Sequence, residues 1–142
     1  MNKVLIINAS VRKERSHSRK LTQLFEKNWQ KKHPNDVFTY REVGLEEIPP
    51  INEKWISSAF IKPSERTKEN QSGVALSDAL VKEFKAHDVY VLGTPMYNWS
   101  IPSGLKAYID GSSSYLGIIN RFEIKSPFYA IGQSKPSHTF VF

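Results

Sequence analysis

Apolar residues along this chain fall into two kinds of pattern, and the two kinds alternate. Val4, Leu5, Ile6 and Ile7 make a short unbroken run inside Lys3 to Asn8, and Val89, Tyr90, Val91 and Leu92 make another between Asp88 and Gly93. Runs of this length, rich in β-branched and aromatic residues, predict strands buried on both faces, as inside a parallel sheet. Between them, apolar residues recur at helical spacing. Leu21, Leu24, Phe25 and Trp29 stand at i, i+3, i+4 and i+8 and predict one stripe of a helix. That helix should be capped by Ser18 and end near Lys31 to His33, because Pro34 restricts its predecessor and Lys31 and Lys32 suit a helix C-terminus. Leu76, Leu80, Val81 and Phe84 predict a second stripe, on a helix running from Ser72 to just before Asp88. Asp36 to Val43 alternates and is rich in β-formers, which predicts a strand, nearer the sheet edge because Arg41 and Glu42 are charged.

The connections carry their own signals. Gly44 to Gly73 is polar and irregular, with Pro49, Pro50 and Pro63; within it, Asn52 to Phe60 suits a short helix carrying Trp55 and Ile56. Connections this long are often functional. After the Val89 strand, Pro95 forbids continuation because it lacks the N–H a sheet ladder needs. Met96, Tyr97, Asn98 and Trp99 follow in succession. Pro102 then pre-sets φ for a helix over Ser103 to Asp110, with Leu105 and Ile109 on one face. Alternating strands and helices imply an α/β fold with a parallel sheet and right-handed crossovers that place helices on both faces.

Composition narrows the class. The chain has 142 residues, enough for one domain with a core, and its 39% hydrophobic and 24% charged residues predict a soluble globular protein. No apolar run approaches the ~20 residues that cross a bilayer, and Val4 to Ile7 is shorter than a secretory core of ~7–15. With no cysteine there is neither a disulfide framework nor thiolate chemistry, which fits the cytoplasm. His17, His33, His87 and His138 are dispersed, so no metal site is expected. The net charge of +6 permits nucleic-acid or membrane-surface binding, but bases and acids are interspersed, and neither partner is favoured. One local cluster stands out: Arg12, Lys13, Arg15, Arg19 and Lys20. It is either a solvated helix entrance or a positive funnel toward a phosphate.

Two loops hold the candidate chemistry. Residues 9–18 lack the glycine fingerprint of dinucleotide folds and the Gly-Lys-Ser/Thr of a phosphate-binding P-loop. They present Ser10, Ser16 and Ser18 at a helix entrance, where free backbone N–H groups and the helix dipole favour an anion. The plainer alternative is a capping serine and nothing more. Residues 94–101 present aromatics and amides, which either cap the core or form a ligand wall at the carboxyl end of a strand, where open α/β sheets bind ligands. A phosphate cradle beside a flat apolar wall with backbone hydrogen bonds is what flavin mononucleotide (FMN) requires.

The segments Lys3-Val-Leu-Ile-Ile-Asn-Ala-Ser10, Ser16-His-Ser18, Leu80 to Asp88 and Pro95-Met-Tyr-Asn-Trp-Ser-Ile-Pro-Ser-Gly-Leu-Lys-Ala-Tyr-Ile-Asp110 resemble the FMN-dependent NADH azoreductases, which are also NAD(P)H:quinone oxidoreductases. The resemblance covers about residues 1–110 of a single domain spanning 1–142, and the Pro-Met-Tyr-Asn-aromatic segment followed by Leu-Lys is its most specific part. It implies a flavodoxin-like three-layer α/β sandwich and a homodimer with FMN near the subunit interface. NADH or NADPH would be the donor, and a quinone or azo compound the acceptor, in a ping-pong cycle. Position by position, it gives Ser10, Ser16, His17 and Ser18 the phosphate-loop role. Pro95, Met96, Tyr97, Asn98 and Trp99 belong to the flavin-ring loop, with Trp99 where the family often has Phe. No side chain is required as catalytic acid or base, since the cofactor carries the hydride chemistry.

Beyond Gly111 the pattern departs from the family. No Gly-Gly pair marks a third flavin loop; Phe128 to Ile131 is the expected fourth strand, with Gly132-Gln133-Ser134 as a reduced third loop. No sequence remains for a fifth strand and last helix, as in a truncated or frameshifted product. Without that helix, the sheet face under Leu21, Leu24, Phe25 and Trp29 should be half covered, which predicts a dimer or larger assembly, marginally stable without FMN. The rival reading is a catalytically inactive flavodoxin-fold binding protein. A one-electron carrier fits less well, because such carriers dock through acidic surfaces and this chain is basic.

Overall fold

The two unbroken apolar runs are the central strands. The computed structural model describes residues 1–112, 123–126, 129–131 and 138–141. In chain order its elements are β1 (Lys3–Asn8), α1 (His17–Lys32), β2 (Val37–Arg41), α2 (Glu53–Ala59), a 3-10 turn (Pro63–Glu65), α3 (Lys68–Lys85), β3 (Val89–Gly93), α4 (Ser103–Ser112), β4 (Glu123–Ser126), β5 (Tyr129–Ile131) and β6 (His138–Val141). The main sheet has the order β2-β1-β3-β6 with every pair parallel. Val4 pairs with Val89 and Asn8 with Gly93, so β1 and β3 end side by side. β2 lies on the edge, as its charged end predicts.

Each face of this sheet has its own core. Leu5, Ile7 and Tyr90 pack with Leu80 and Phe84 of α3 and Leu105 and Tyr108 of α4. Val4, Ile6, Val89 and Val91 pack on the other face under Phe25 and Trp29 of α1 and against Phe38. The side chains of Val4, Leu5, Ile6 and Ile7 are at most 4% exposed, a burial that contributes about 1.5–3 kcal/mol for each. The Tyr90 ring stacks on Phe84 with centroids 4.1 Å apart, and its hydroxyl lies 2.7 Å and 2.8 Å from the carbonyl oxygens of Phe84 and His87, which fixes the end of α3 to β3. Arg41 secures the edge strand to α3 through both Glu83 carboxylate oxygens, 2.8 and 2.9 Å away. Asp36 ties the N-terminus down. Partial burial works against its charge, but bonds from the backbone and side chain of Asn2 and from the Trp29 indole prevail and pull its carboxyl down to about 2.

Several expectations are corrected. Ser16, not Ser18, caps α1: its hydroxyl accepts the Arg19 amide, and helical geometry begins at His17. Only half of the apolar stripe of α1 packs on the sheet: Phe25 and Trp29 do, and Leu21 and Leu24 do not. Ser18, Arg19 and Thr22 are buried, while Leu21 and Leu24 are 44% and 54% exposed. The cause is Gly93: a side chain there would meet Thr22 Cγ2 at 2.6 Å, so the helix approaches β3 through its small polar face. α3 starts at Lys68 under a Thr67–Asn70 capping box, earlier than its apolar stripe suggests, and buries Val74, Ser77, Leu80 and Phe84 while Leu76 is exposed. In α4 the companion of Leu105 in the core is Tyr108; Ile109 faces outward. The fourth strand of the parallel sheet is β6, whereas β5 pairs antiparallel with β4 in a separate two-stranded sheet, so Phe128 to Ile131 is not that strand. A strand running antiparallel to its own predecessor needs only a short connection; a parallel neighbour of β3 must be reached by a longer return. Gly132, Gln133 and Ser134 lie outside the described residues. No described helix is long and apolar enough to cross a membrane.

Candidate functional site

Parallel pairing of β1 and β3 brings both chemistry-bearing loops to one edge. The Ala9 amide donates to the Gly93 carbonyl at 2.8 Å, so the two chains leave the sheet still bonded. Above that point lies a cavity of about 400 Å³, lined by Ser10, Arg12, Arg15, Ser16, His17, Ser18 and Leu21 from one side and Thr94, Pro95, Met96 and Tyr97 from the other. Small-molecule sites commonly span about 300–1,000 Å³.

The first side is polar and carries positive charge. Ser10, Ser16 and Ser18 are buried, at 2%, 6% and 6% exposure, yet all three line the cavity. The Ser16 and Ser18 hydroxyls lie 3.3 Å apart, and the Ser10 hydroxyl accepts the Arg12 amide at 3.2 Å. The first amides of α1, at His17 and Ser18, have no helical carbonyl one turn earlier to bond. Arg12, Lys13 and Arg15 are exposed and form no ion pair among the described residues, and Arg12 and Arg15 reach the cavity wall. Arg15 holds a left-handed φ of 55° that turns the chain into the helix cap.

A braced layer supports this loop from below. Gly44, just after β2, passes so close that a Cβ there would stand 2.3 Å from the Ser10 carbonyl oxygen. Asn8 donates from Nδ2 to Glu42 Oε1 at 2.9 Å and accepts from Thr22 Oγ1 at 3.0 Å. Arg19 is only 9% exposed and pairs with Glu42. The basic cluster is therefore divided: Arg19 is a buried brace, and Arg12, Lys13, Arg15 and Lys20 are exposed.

The second side is different in kind. Tyr97 and Ser100 exchange backbone hydrogen bonds of 2.9 and 3.0 Å, closing a two-residue turn in which Asn98 and Trp99 have φ of 49° and 63°. Positive φ at both central positions defines the turn type that suits a tight hairpin. It leaves Met96 68% and Trp99 93% exposed. Of the nine residues singled out from sequence, the cavity gathers Ser10, Ser16, His17, Ser18, Pro95, Met96 and Tyr97. Asn98 and Trp99 form the turn outside it. Sequence reasoning missed Thr94, and it missed Asn8, Thr22, Glu42 and Gly44 beneath the loop; a polar Asn closing an unbroken apolar strand was the available signal.

The residues fit an FMN. Buried hydroxyls, unbonded amides and two arginines suit a phosphate, and the Pro95–Tyr97 edge offers apolar surface and backbone polar groups to a ring.

A three-layer sandwich with its cavity at the carboxyl ends of β1 and β3 is the architecture of a doubly wound nucleotide-binding domain. The family defined by the flavodoxin-like fold matches residues 2–115, and the chain belongs to it. The chain is 48% identical over 110 residues to an FMN-dependent NADH:quinone oxidoreductase of Nostoc punctiforme, covering 78% of this chain and 54% of that protein. It is 49% identical over 111 residues to FMN-dependent NADH:quinone oxidoreductase 1 of Pseudomonas fluorescens, with 78% and 52% covered. The chain thus spans about half the length of the curated relatives it matches. Among solved structures, an azoreductase from Bacillus anthracis strain Sterne superposes with a TM-score of 0.76 at 27% identity, over 99% of this chain and 67% of that one. An FMN-dependent NADH-azoreductase from Bacillus anthracis strain Ames Ancestor, solved in complex with FMN, gives 0.74 at 25% identity with the same coverage.

Proposed function

We infer that the chain binds FMN in the cavity between residues 9–18 and 94–97 and serves an NAD(P)H-dependent reduction of quinones or azo compounds. The observation that carries this reading is the joining of the two loops into one cavity, with buried hydroxyls at one end and the Pro95–Tyr97 edge at the other. The names of the relatives and of the superposing structures support it. When bound, FMN would supply the hydride and electron transfer. The chain's own residues do the rest. Ser10, Ser16 and Ser18, with the first amides of α1, hold the phosphate; Arg12 and Arg15 attract it; His17 borders it. Pro95, Met96 and Tyr97 wall the ring, and Trp99 projects beyond, where it can border a substrate slot. No titrating side chain is asked to move a proton.

A homodimer is part of this proposal. Met96, Trp99, Ile101 and Ile109 are all exposed on the loop and helix that follow β3, and a second copy would cover apolar surface next to the cavity. The absence of cysteine and the lack of a membrane-crossing helix among the described residues fit work in the cytoplasm. The rival reading is a chain that binds flavin without turning over. Purification with added FMN, followed by NADH and then a quinone, separates them. Retained flavin that bleaches with NADH and recovers its colour with quinone is expected. Retained flavin that NADH does not bleach would establish the rival, and no retained flavin would end both. Light scattering of the flavin-loaded protein should give twice the chain mass.

A further inference from the structure

We propose that Arg19 is a positioning residue that gives the 9–18 loop its preference for an anion, acting from beneath the cavity without touching the ligand. Its Nε donates to the Arg12 carbonyl and its Nη2 to the Ser10 carbonyl, both at 2.8 Å, while Nη1 pairs with Glu42. Its own amide donates to the capping hydroxyl of Ser16 at 3.4 Å. Arg19 does not line the cavity. Its donors therefore draw two loop carbonyls to the buried side, where their negative ends cannot oppose a phosphate. The planar guanidinium spreads its donors over three nitrogens and so bridges two carbonyls and a carboxylate in fixed directions, whereas an ammonium has its three donors on a single nitrogen. Glu42 balances the buried charge; Asn8 holds Glu42, and Thr22 holds Asn8 in turn, with Thr22 Oγ1 also 2.9 Å from the Arg19 carbonyl oxygen. The attraction for phosphate then comes from hydroxyls, amides and the exposed Arg12 and Arg15, and Arg19 sets which way the loop faces.

This inference rests on the FMN reading for its ligand, and its test has one arm that does not. The first arm compares FMN with riboflavin, which lacks the phosphate, on the full chain and on Arg19→Ala. FMN affinity should fall on the order of 100-fold and riboflavin affinity by less than about 3-fold, as for lost charge-assisted contacts confined to the phosphate. The second arm follows amide hydrogen exchange of residues 10–16 without flavin. Exchange should accelerate in the variant, and free guanidinium ion should slow it again and restore FMN binding. Should Arg19→Ala fail to fold, Arg19→Lys keeps the charge beside Glu42 and loses the fork; the FMN-to-riboflavin preference should then drop on the order of tenfold. Equal losses for both flavins, or unchanged loop exchange, would reduce Arg19 to a fold-stabilising brace and overturn the proposal. If the unaltered chain binds no FMN, the functional reading fails, and loop exchange with guanidinium rescue alone decides whether the clamp stands.

Discussion

The two loops that meet at the cavity solve the same problem, leaving a buried parallel strand, in opposite ways. The 9–18 loop is fixed from outside itself: Gly44, Glu42, Asn8 and Arg19 hold it, and its serines are buried. The 94–101 loop is fixed from within, by the Tyr97–Ser100 pair, and its largest side chains face solvent. A site that must hold a compact, highly charged group benefits from polar groups whose directions are set before the ligand arrives. A wall for a flat ring and for varied acceptors needs only surface. On the proposed reading, the difference teaches that rigidity is placed where charge would be recognised, and side-chain freedom where shape would be.

The contrast can be broken most directly at Gly44. A valine there drives its Cβ into the Ser10 backbone, so Gly44→Val should cost about 3 kcal/mol in denaturant unfolding and abolish FMN selectivity over riboflavin. A variant as stable as the parent would mean that the first loop is not braced from below. Next in size, Ser16→Ala with Ser18→Ala should weaken FMN by about 1–3 kcal/mol in titration, the scale of hydrogen bonds to a charged group. Riboflavin should change little; a matching loss would trace the effect to the lost Ser16 cap. The self-contained second loop should respond in the opposite sense. Trp99 combines a left-handed backbone with a fully solvated side chain, so Trp99→Gly should leave the melting temperature unchanged or raise stability by up to about 1 kcal/mol, while altering acceptor KM. A clear destabilisation would show that Trp99 is packed. The smallest effect concerns charge. Arg12→Gln with Arg15→Gln should lower the FMN association rate a few-fold at low salt and flatten its dependence on ionic strength in stopped flow. An unaltered salt dependence would return these residues to the solvated surface.

Much of this was legible in one dimension. The apolar runs at 4–7 and 89–92 mark two central strands, since short β-branched and aromatic runs between polar or glycine bounds suit a parallel sheet covered on both faces. Pro95 and Pro102 delimit the second loop because a residue without N–H ends one ladder and starts one helix. The serines of the first loop were visible as hydroxyls at a helix entrance. What the sequence did not carry is which face of each helix would be buried. Leu21 and Leu24 look like core, as Phe25 and Trp29 of the same stripe are, but the absent side chain at Gly93 admits Thr22 more closely and turns the first half of the stripe outward. Nor did it carry the division of the basic cluster. Arg19 differs from Arg15 only in that folding sets Glu42 and two loop carbonyls within its reach, a meeting of residues 23 positions apart that no local pattern records. The chain's chemistry was written in residue types; the direction in which each group points was decided by long-range packing, because charge and hydrogen bonding depend on distances that only the closed sheet defines.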